Sequence, residues 1–516
     1  MSASAGAASG SRGPSTLSIM LAVILGLTAI RLVVLFNTFL NLGGDEAQYW
    51  AWSRTLDFGY FSKPPLIAWI IAGTTAICGN GEACVRVSSP LLHGATAIAI
   101  FFAARRLYDE RIGLWSAITY ATLPIVFFSS ALITTDVPCI FCWACALLGV
   151  DAMNKAHSAG HAREALQAGA LTGLAVGVGL LAKYAMFYFP LCMIVHAVVS
   201  RDARRAMLSL AGATLAIVAL IVLSPNLIWN VQQGFATVKH TAADANWGGQ
   251  LFNVSALGAF ISSQVGVFGP VLFVTFLFGL VNLERRATGP YKNSDIMLVC
   301  YSVPILAIVI VQSFISRANA NWAAPAYIAA TILTVAWLLR PASTPKPKRW
   351  YSVTGRGLLN ASLAIHLVAG ITLYSLGTVP GAIELFAVGN SFKRVRGWEG
   401  FRTKYLEVVQ KGHYRAVVTD DRMIMAEVIY YGRDSHVPVV IFDINGVPAN
   451  EFELKAPYTP ALGDPVLLVT PRDVSPVVDN FSVAEPVEVY RMHRGGRYYT
   501  DFHFIRLADF KGSRAG

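Results

Sequence analysis

Three carboxylates and one constrained lysine are the residues of this chain best placed to do chemistry. Asp45 and Glu46 lie in Gly43-Gly44-Asp45-Glu46-Ala47-Gln48-Tyr49-Trp50, directly after a membrane-length apolar run. Lys63 stands in Phe61-Ser62-Lys63-Pro64-Pro65-Leu66. Carboxylates, interfacial aromatics and a fixed cation at the lip of a membrane suit transfer from a lipid-linked phosphate. Asp45 admits two compatible readings. With Gln48 three residues on, it forms a capping box for a helix that starts here. At the edge of a cavity in apolar protein, desolvation would raise its proton affinity and fit it for a general base. Glu46 is the neighbour that would orient it or hold a cation. Asp136, in Thr134-Thr135-Asp136-Val137-Pro138, opens a later apolar run. It is again either a helix cap, with Pro138 tolerated in the first turn, or a second carboxylate of one site.

Lys63 is held ahead of two prolines that bar a regular helix and fix its direction. It either snorkels to the headgroups or supplies a compact point charge to a phosphate. Lys183, Lys239, His240 and Arg317 are the further cations on the same side of the membrane. Lys183-Tyr184 occupies a very short turn between two apolar runs, so both side chains turn into protein. Arg317 begins a polar knot, Arg317-Ala318-Asn319-Ala320-Asn321-Trp322. Scattered Lys and Arg converging in space would make a phosphate site.

The elements that must position these groups are membrane helices. The chain is 55% hydrophobic and only 14% charged, where a soluble protein carries about a quarter charged residues. The net charge of +11 does not indicate nucleic acid, because the basic residues cluster in short loops between apolar runs, as the positive-inside rule requires. Residues 1–16 are small, polar and expected to be disordered. Eleven runs read as spans, at 17–37, 86–104, 112–129, 137–151, 167–182, 185–200, 207–224, 255–281, 296–315, 322–339 and 357–376. Loops with Arg105-Arg106, Lys155, Arg204-Arg205, Arg285-Arg286 and Lys346-Lys348-Arg349 alternate with loops that lack such clusters. The basic side is cytoplasmic, so the N-terminus is inside and Asp45, Lys63 and Asp136 face the other compartment.

An odd number of spans puts the C-terminal part, 377–516, outside as well. There Val417–Thr419, Val437–Phe442 and Pro465–Thr470 read as buried strands, with a helix over Asp421–Tyr431, which together indicate a small α/β domain. Cys78 and Cys84 bracket a Gly-Asn-Gly turn in the first outer loop and are expected to pair in an oxidising compartment. Cys139, Cys142 and Cys145 recur every third residue in one span and read as packing residues rather than a metal site. Gly173, Gly177 and Gly179, inside a span, read as close helix packing. Neither an internal repeat nor a nucleotide-binding glycine fingerprint occurs.

Asp45-Glu46 after the first span, Lys63-Pro64, the Arg86 that opens the second span, and Asp136 at a later one resemble the bacterial branch of the protein O-mannosyltransferase-like glycosyltransferases. That branch includes aminoarabinose transferases of lipid A and galacturonic acid transferases of lipopolysaccharide core. The resemblance covers about 17–376 and implies an α-helical polytopic GT-C fold. It implies a bacterial inner-membrane enzyme with its site facing the periplasm. It implies a polyprenyl-phosphate sugar as donor and an inverting transfer to a lipid or glycolipid acceptor, lipid A or lipopolysaccharide core. Asp45, Glu46 and Asp136 would be catalytic. Lys63 would hold the donor phosphate, joined by Arg86, Lys183, Tyr184, Lys239, His240 and Arg317. In the aminoarabinose transferases a glutamate before the Lys-Pro lysine binds zinc together with a later histidine. Here that position is Ser62, with His240 the counterpart of the histidine, and neither a metal nor another cofactor is expected. Three rivals remain: a protein O-glycosyltransferase, a flippase for a lipid-linked sugar, and an envelope scaffold. A flippase shares polar residues at depth, but this chain lacks the related halves common in transporters.

Overall fold

The structure, a computed structural model, describes residues 14–247, 251–287, 289–340 and 354–512. Most of the N-terminal segment expected to be disordered, and the Lys346-Lys348-Arg349 loop, lie outside these residues.

In lipid, each backbone N–H and C=O must be bonded within its own segment, so apolar runs become helices. Among the described residues, seven helices are long and apolar enough to cross a membrane: Thr16–Asn37, Glu82–Leu107, Asp136–Ser158, Ala162–Ala182, Leu210–Gln232, Gly289–Ile315 and Gly355–Thr378. Two bent pairs raise the number to nine. The chain is a multi-span membrane protein. All eleven expected runs are helical, but not as eleven uniform spans. Glu110–Thr122 and Pro124–Ser130 meet at 58°, because Pro124 forces Leu123 out of helical geometry (ψ 140°). Val254–Phe268 and Pro270–Val281 meet at 111°. Gly269, at φ +83°, makes that corner, and a Cβ there would strike the His366 ring at 2.2 Å. Ala326–Leu339 has only 14 residues, about 21 Å of helix. Every one of its residues is buried, so it is the centre of the bundle rather than a lipid-facing span.

The Ala162–Ala182 and Leu210–Gln232 helices pack closely. A Cβ at Gly173 would come within 2.4 Å of the Leu215 carbonyl, as small-residue membrane packing demands. Cys139, Cys142 and Cys145 are unpaired thiols on Asp136–Ser158.

Between the first two spans, the outer loop folds into the short helices Gly44–Trp52 and Leu66–Cys78. A disulfide joins Cys78 to Cys84, as expected. After Thr378 the chain builds a five-stranded sheet of order β2-β1-β3-β5-β4. β1 (Val417–Thr419), β2 (Val439–Ile441) and β3 (Val466–Thr470) are parallel and nearly wholly buried. Strands covered on both faces read as continuous apolar runs, which is why they were legible. β4 (Phe481–His493) and β5 (Tyr499–Phe510) form an antiparallel hairpin that the sequence reading did not anticipate. A register shift at Pro486/Glu488 interrupts the alternation that would have marked it.

The sheet domain is built onto the outer loop rather than tethered beside it. The Arg422–Tyr431 helix packs along Gly44–Trp52. A Cβ on Gly44 would sit 2.9 Å from the Met423 side chain. The Leu42 N–H donates to the Tyr431 hydroxyl at 2.8 Å, Tyr430 donates to the Asn80 carbonyl at 2.8 Å, and the Phe61 N–H donates to Glu451 at 2.6 Å. Trp50, Trp52 and Tyr60 share one apolar core with Trp398, Tyr405 and Phe502.

Candidate active site

Most of the candidate residues sit where helices end on one side of the bundle. Asp136 is the first residue of Asp136–Ser158, Lys183 follows Ala162–Ala182, and Lys63 precedes Leu66–Cys78 by two prolines. Asp136 Oδ1 accepts from Lys183 Nζ at 2.7 Å, and its Oδ2 accepts from Asn321 Nδ2 at 2.8 Å. Asn321 belongs to the polar knot from which the sequence reading chose Arg317. The Arg317 side chain is exposed, and among the described residues only its carbonyl is engaged, by Gln312 at 3.2 Å. Asp136 also lines a cavity of about 250 Å³ with a mostly apolar surface, walled by Val126, Phe128 and Ile140 and bordered by His93, Tyr120 and Tyr327.

The adjacent carboxylates Asp45 and Glu46 have opposite fates. Glu46 accepts from Arg86 Nε at 2.7 Å and Arg86 Nη2 at 2.6 Å, and from the backbone N–H groups of Gly43 and Ile133 at 2.9 Å each. Arg86 spends its remaining donors on the Leu40 and Asn41 carbonyls. Its side chain is 1% exposed. The structure thus places Arg86 and Glu46 in an internal pair, each bonded to the other and to backbone groups. The pair clamps the outer loop to the second span. The helix cap also differs from expectation: Gly43 is the N-cap and its N–H donates to Glu46 at 2.9 Å, so the cap is not the Asp45–Gln48 box. Asp45 is thereby released. Its side chain is 61% exposed, and its nearest cation is Arg422 of the sheet domain, at 3.9 Å. The protein itself does not desolvate it, contrary to the sequence reading.

Lys63 is half-buried and forms no ion pair among the described residues. Burial, then the charge of Lys183, hold its ammonium below the ordinary lysine pKa, with Asp244 and Asp45 opposing and Arg422 adding to the fall. Tyr49, 6% exposed, ties the two carboxylates together. Burial first, then Asp45 and Asp136, push its phenol well above its usual value. Asp45, Lys63, Lys183 and Asp136 thus share one electrostatic neighbourhood.

The other expected phosphate ligands divide. The Tyr184 hydroxyl donates to Asn226 at 2.8 Å and accepts from Asn230 at 3.0 Å, while Asn226 donates to the Phe58 carbonyl at 2.7 Å. Tyr184 is therefore engaged in propping the loop that carries Lys63. His240 stacks edge-on against Phe61 at 5.9 Å, with Asp244 3.8 Å from its Nδ1. Burial lowers its pKa, Asp244 opposes, and Lys63 and Arg422 reinforce the fall. Lys239 is exposed and contacts none of these groups among the described residues. No three His, Cys, Asp or Glu side chains converge on one point among the described residues.

Arg422, which the sequence reading missed, comes from the sheet domain. It starts the Arg422–Tyr431 helix and donates from Nη1 to Gln48 Oε1 at 2.9 Å. Nothing local marks it, since its partners lie 374 positions away in the chain.

The sequence profile of the dolichyl-phosphate-mannose-protein mannosyltransferase family matches residues 62–229. The lipid A galacturonosyltransferase RgtD of Rhizobium johnstonii is 33% identical over 454 residues, covering 87% of this chain and 90% of RgtD. The undecaprenyl phosphate-alpha-4-amino-4-deoxy-L-arabinose arabinosyl transferase of Pseudomonas aeruginosa PAO1 is 26% identical over 348 residues, which are 65% of this chain and 59% of that protein. Among solved structures, ArnT from Cupriavidus metallidurans bound to undecaprenyl phosphate superposes with a TM-score of 0.64 over 95% of this chain and 97% of ArnT, at 15% identity. The chain belongs to the bacterial membrane glycosyltransferases of the GT-C fold, the protein mannosyltransferase-like family that includes lipid A galacturonosyltransferase RgtD.

Proposed function

We propose that this enzyme transfers a hexosyl group from a polyprenyl-phosphate donor to lipid A, at a site facing the periplasm of a bacterial inner membrane. The observation that carries the reading is the convergence of an exposed carboxylate, Asp45, with an unpaired, half-buried lysine, Lys63, and the Asp136–Lys183 pair beside an apolar cavity. RgtD, by its name a lipid A galacturonosyltransferase, supports lipid A as acceptor and a hexosyl rather than a pentosyl group. ArnT, whose structure holds undecaprenyl phosphate, supports the donor class.

In this reading an acceptor hydroxyl attacks C1 of the sugar from the face opposite the phosphate. The new C1–O bond forms as the old C1–O bond to phosphate breaks, and the configuration inverts. The bonding pair leaves with polyprenyl phosphate, whose charge Lys63 and Lys183 cover electrostatically. The hydroxyl proton passes to Asp45. Asp136 holds Lys183 in place. Asn321 orients Asp136.

Purified protein in detergent, given polyprenyl-phosphate hexoses and lipid A, should yield glycosylated lipid A by mass spectrometry and release polyprenyl phosphate. Donor translocation in vesicles without transfer in detergent would replace this reading with a flippase. Transfer to a protein hydroxyl alone would replace the acceptor.

A further inference from the structure

We infer that Arg422 of the sheet domain selects the sugar, by pairing its guanidinium with a carboxylate on the transferred hexose. The inference rests on the proposed transfer reaction and adds the residue that distinguishes an acidic sugar from a neutral one.

Arg422 is badly placed for any local purpose. As the first residue of its helix it carries positive charge at the positive end of the helix dipole. The cap is supplied without it: Asp421 accepts from the N–H groups of Met423 and Ile424 at 2.8 and 3.0 Å. Its position is nevertheless fixed. Gln48, 2% exposed, accepts from Nη1 at 2.9 Å, and Gln48 sits one helical turn after Asp45, so one face of Gly44–Trp52 presents both residues to it. Among the described residues Gln48 takes the only hydrogen bond of this side chain, which is 38% exposed. The remaining guanidinium nitrogens are free to form a planar fork.

Three cations surround the site, and their chemistry divides the work. Lys183 is matched to Asp136 at 2.7 Å. Lys63, on the loop before Leu66–Cys78, is a point charge suited to a phosphate. Arg422 reaches in from the sheet domain, 3.9 Å from Asp45. A planar fork binds a carboxylate bidentately. An acidic sugar lying beside Asp45 would otherwise place two anions together, and a guanidinium shared between them removes that repulsion. The names of the relatives pose the same choice, since galacturonosyl is an acidic sugar and 4-amino-4-deoxy-L-arabinose a basic one.

The experiment compares two donors that differ at one group: a polyprenyl-phosphate hexuronic acid and its carboxamide. The wild-type protein should prefer the acid in kcat/KM. Arg422→Gln, which keeps a hydrogen bond to Gln48 within reach, should reduce that preference on the order of tenfold to a hundredfold. Arg422→Lys should recover part of it, as a point charge without the fork. Thermal unfolding of each variant reports its folding separately from the ratio. A ratio unchanged in Arg422→Gln overturns the inference, as does an equal fall for both donors. A wild-type protein that transfers only neutral or amino sugars overturns it while leaving the proposed reaction standing. No transfer from any polyprenyl-phosphate sugar would remove both.

Discussion

Two aspartates buried at opposite ends of the helix bundle show what separates a working group from a structural one. Asp295 is closed: it accepts from Arg340 at 2.7 Å, Tyr108 at 2.6 Å and Trp337 at 3.1 Å, and its side chain is 0% exposed. Its donors come from two helix ends, Tyr108 closing Ser88–Leu107 and Trp337 with Arg340 closing Ala326–Leu339, so it fastens those two helices together. Asp136 also has a cation and an amide donor, but it borders a cavity, and its partner Lys183 acts on the unpaired Lys63. Glu46 with Arg86 repeats the closed pattern inside the outer loop itself. Both kinds of group are buried and both are paired. What differs is whether a partner remains to be supplied from outside, as expected where a charged substrate completes the set.

The largest expected effect falls on the most open group. Asp45→Asn should lower turnover by about 10²–10⁴-fold, the usual contribution of a general base. Membrane insertion and thermal stability should match wild type, because the side chain is 61% exposed. Turnover close to wild type would leave Asp45 as an ordinary helix-terminal residue. The paired test of the comparison is Asp295→Asn against Asp136→Asn, each measured for unfolding in detergent and for turnover per folded molecule. Asp295→Asn strands Arg340 in the interior and should cost about 3–5 kcal/mol of stability while sparing turnover. Asp136→Asn should do the reverse, with a tenfold or greater loss of turnover, on the order of 1.4 kcal/mol in barrier height, and a smaller loss of stability. Identical profiles for the two would erase the distinction.

Lys63 sharpens the comparison through pH. Lys63→Ala should raise the KM for donor on the order of tenfold to a hundredfold, with acceptor use less affected. Burial and the neighbouring Lys183 depress the Lys63 pKa, so it loses its proton at a lower pH than a free lysine. Donor kcat/KM should therefore fall on the alkaline side earlier than a free lysine would predict, and Lys63→Ala should lack that limb. A bound phosphate favours the charged form, so the limb should move to higher pH at saturating donor. The stability effect has a definite sign. The unfolded chain holds this proton more tightly than the folded one, so the cost of the buried charge is fully present below the folded pKa and is relieved as pH rises through it.

The smallest effect is expected at Glu427, 2% exposed, with one carboxyl oxygen unpartnered. Burial pushes its carboxyl well above the usual range, against Arg494, with Glu46 and Glu82 adding to the rise and Arg86 opposing. The folded protein then keeps a proton that the unfolded chain gives up, so stability falls as pH rises from the ordinary glutamate range towards the raised pKa. Glu427→Gln should flatten that slope in thermal unfolding and leave turnover alone. A slope identical to wild type would mean that the carboxyl is ionised and that its partner is still to be found.

By itself the sequence determined the membrane class, the basic loops between apolar runs, three buried strands and a set of charged residues at helix ends. These are one-dimensional properties, since apolar run length and the spacing of charges fix which segments enter lipid and on which side their ends emerge. The Cys78–Cys84 pair belongs with them, its spacing being local. The tertiary structure decided which of those charged groups remain open. Asp45 and Glu46 are neighbours of the same type, yet Arg86, 40 positions on, saturates Glu46 and leaves Asp45 free. Tyr184 is engaged by Asn226 and Asn230, while Asn321 rather than Arg317 bonds to Asp136. Arg422 enters only because the sheet domain folds back onto the Gly44–Trp52 helix. A charge is available or spent according to the donors and acceptors that surround it in space, and at these positions the deciding partners lie tens to hundreds of residues away.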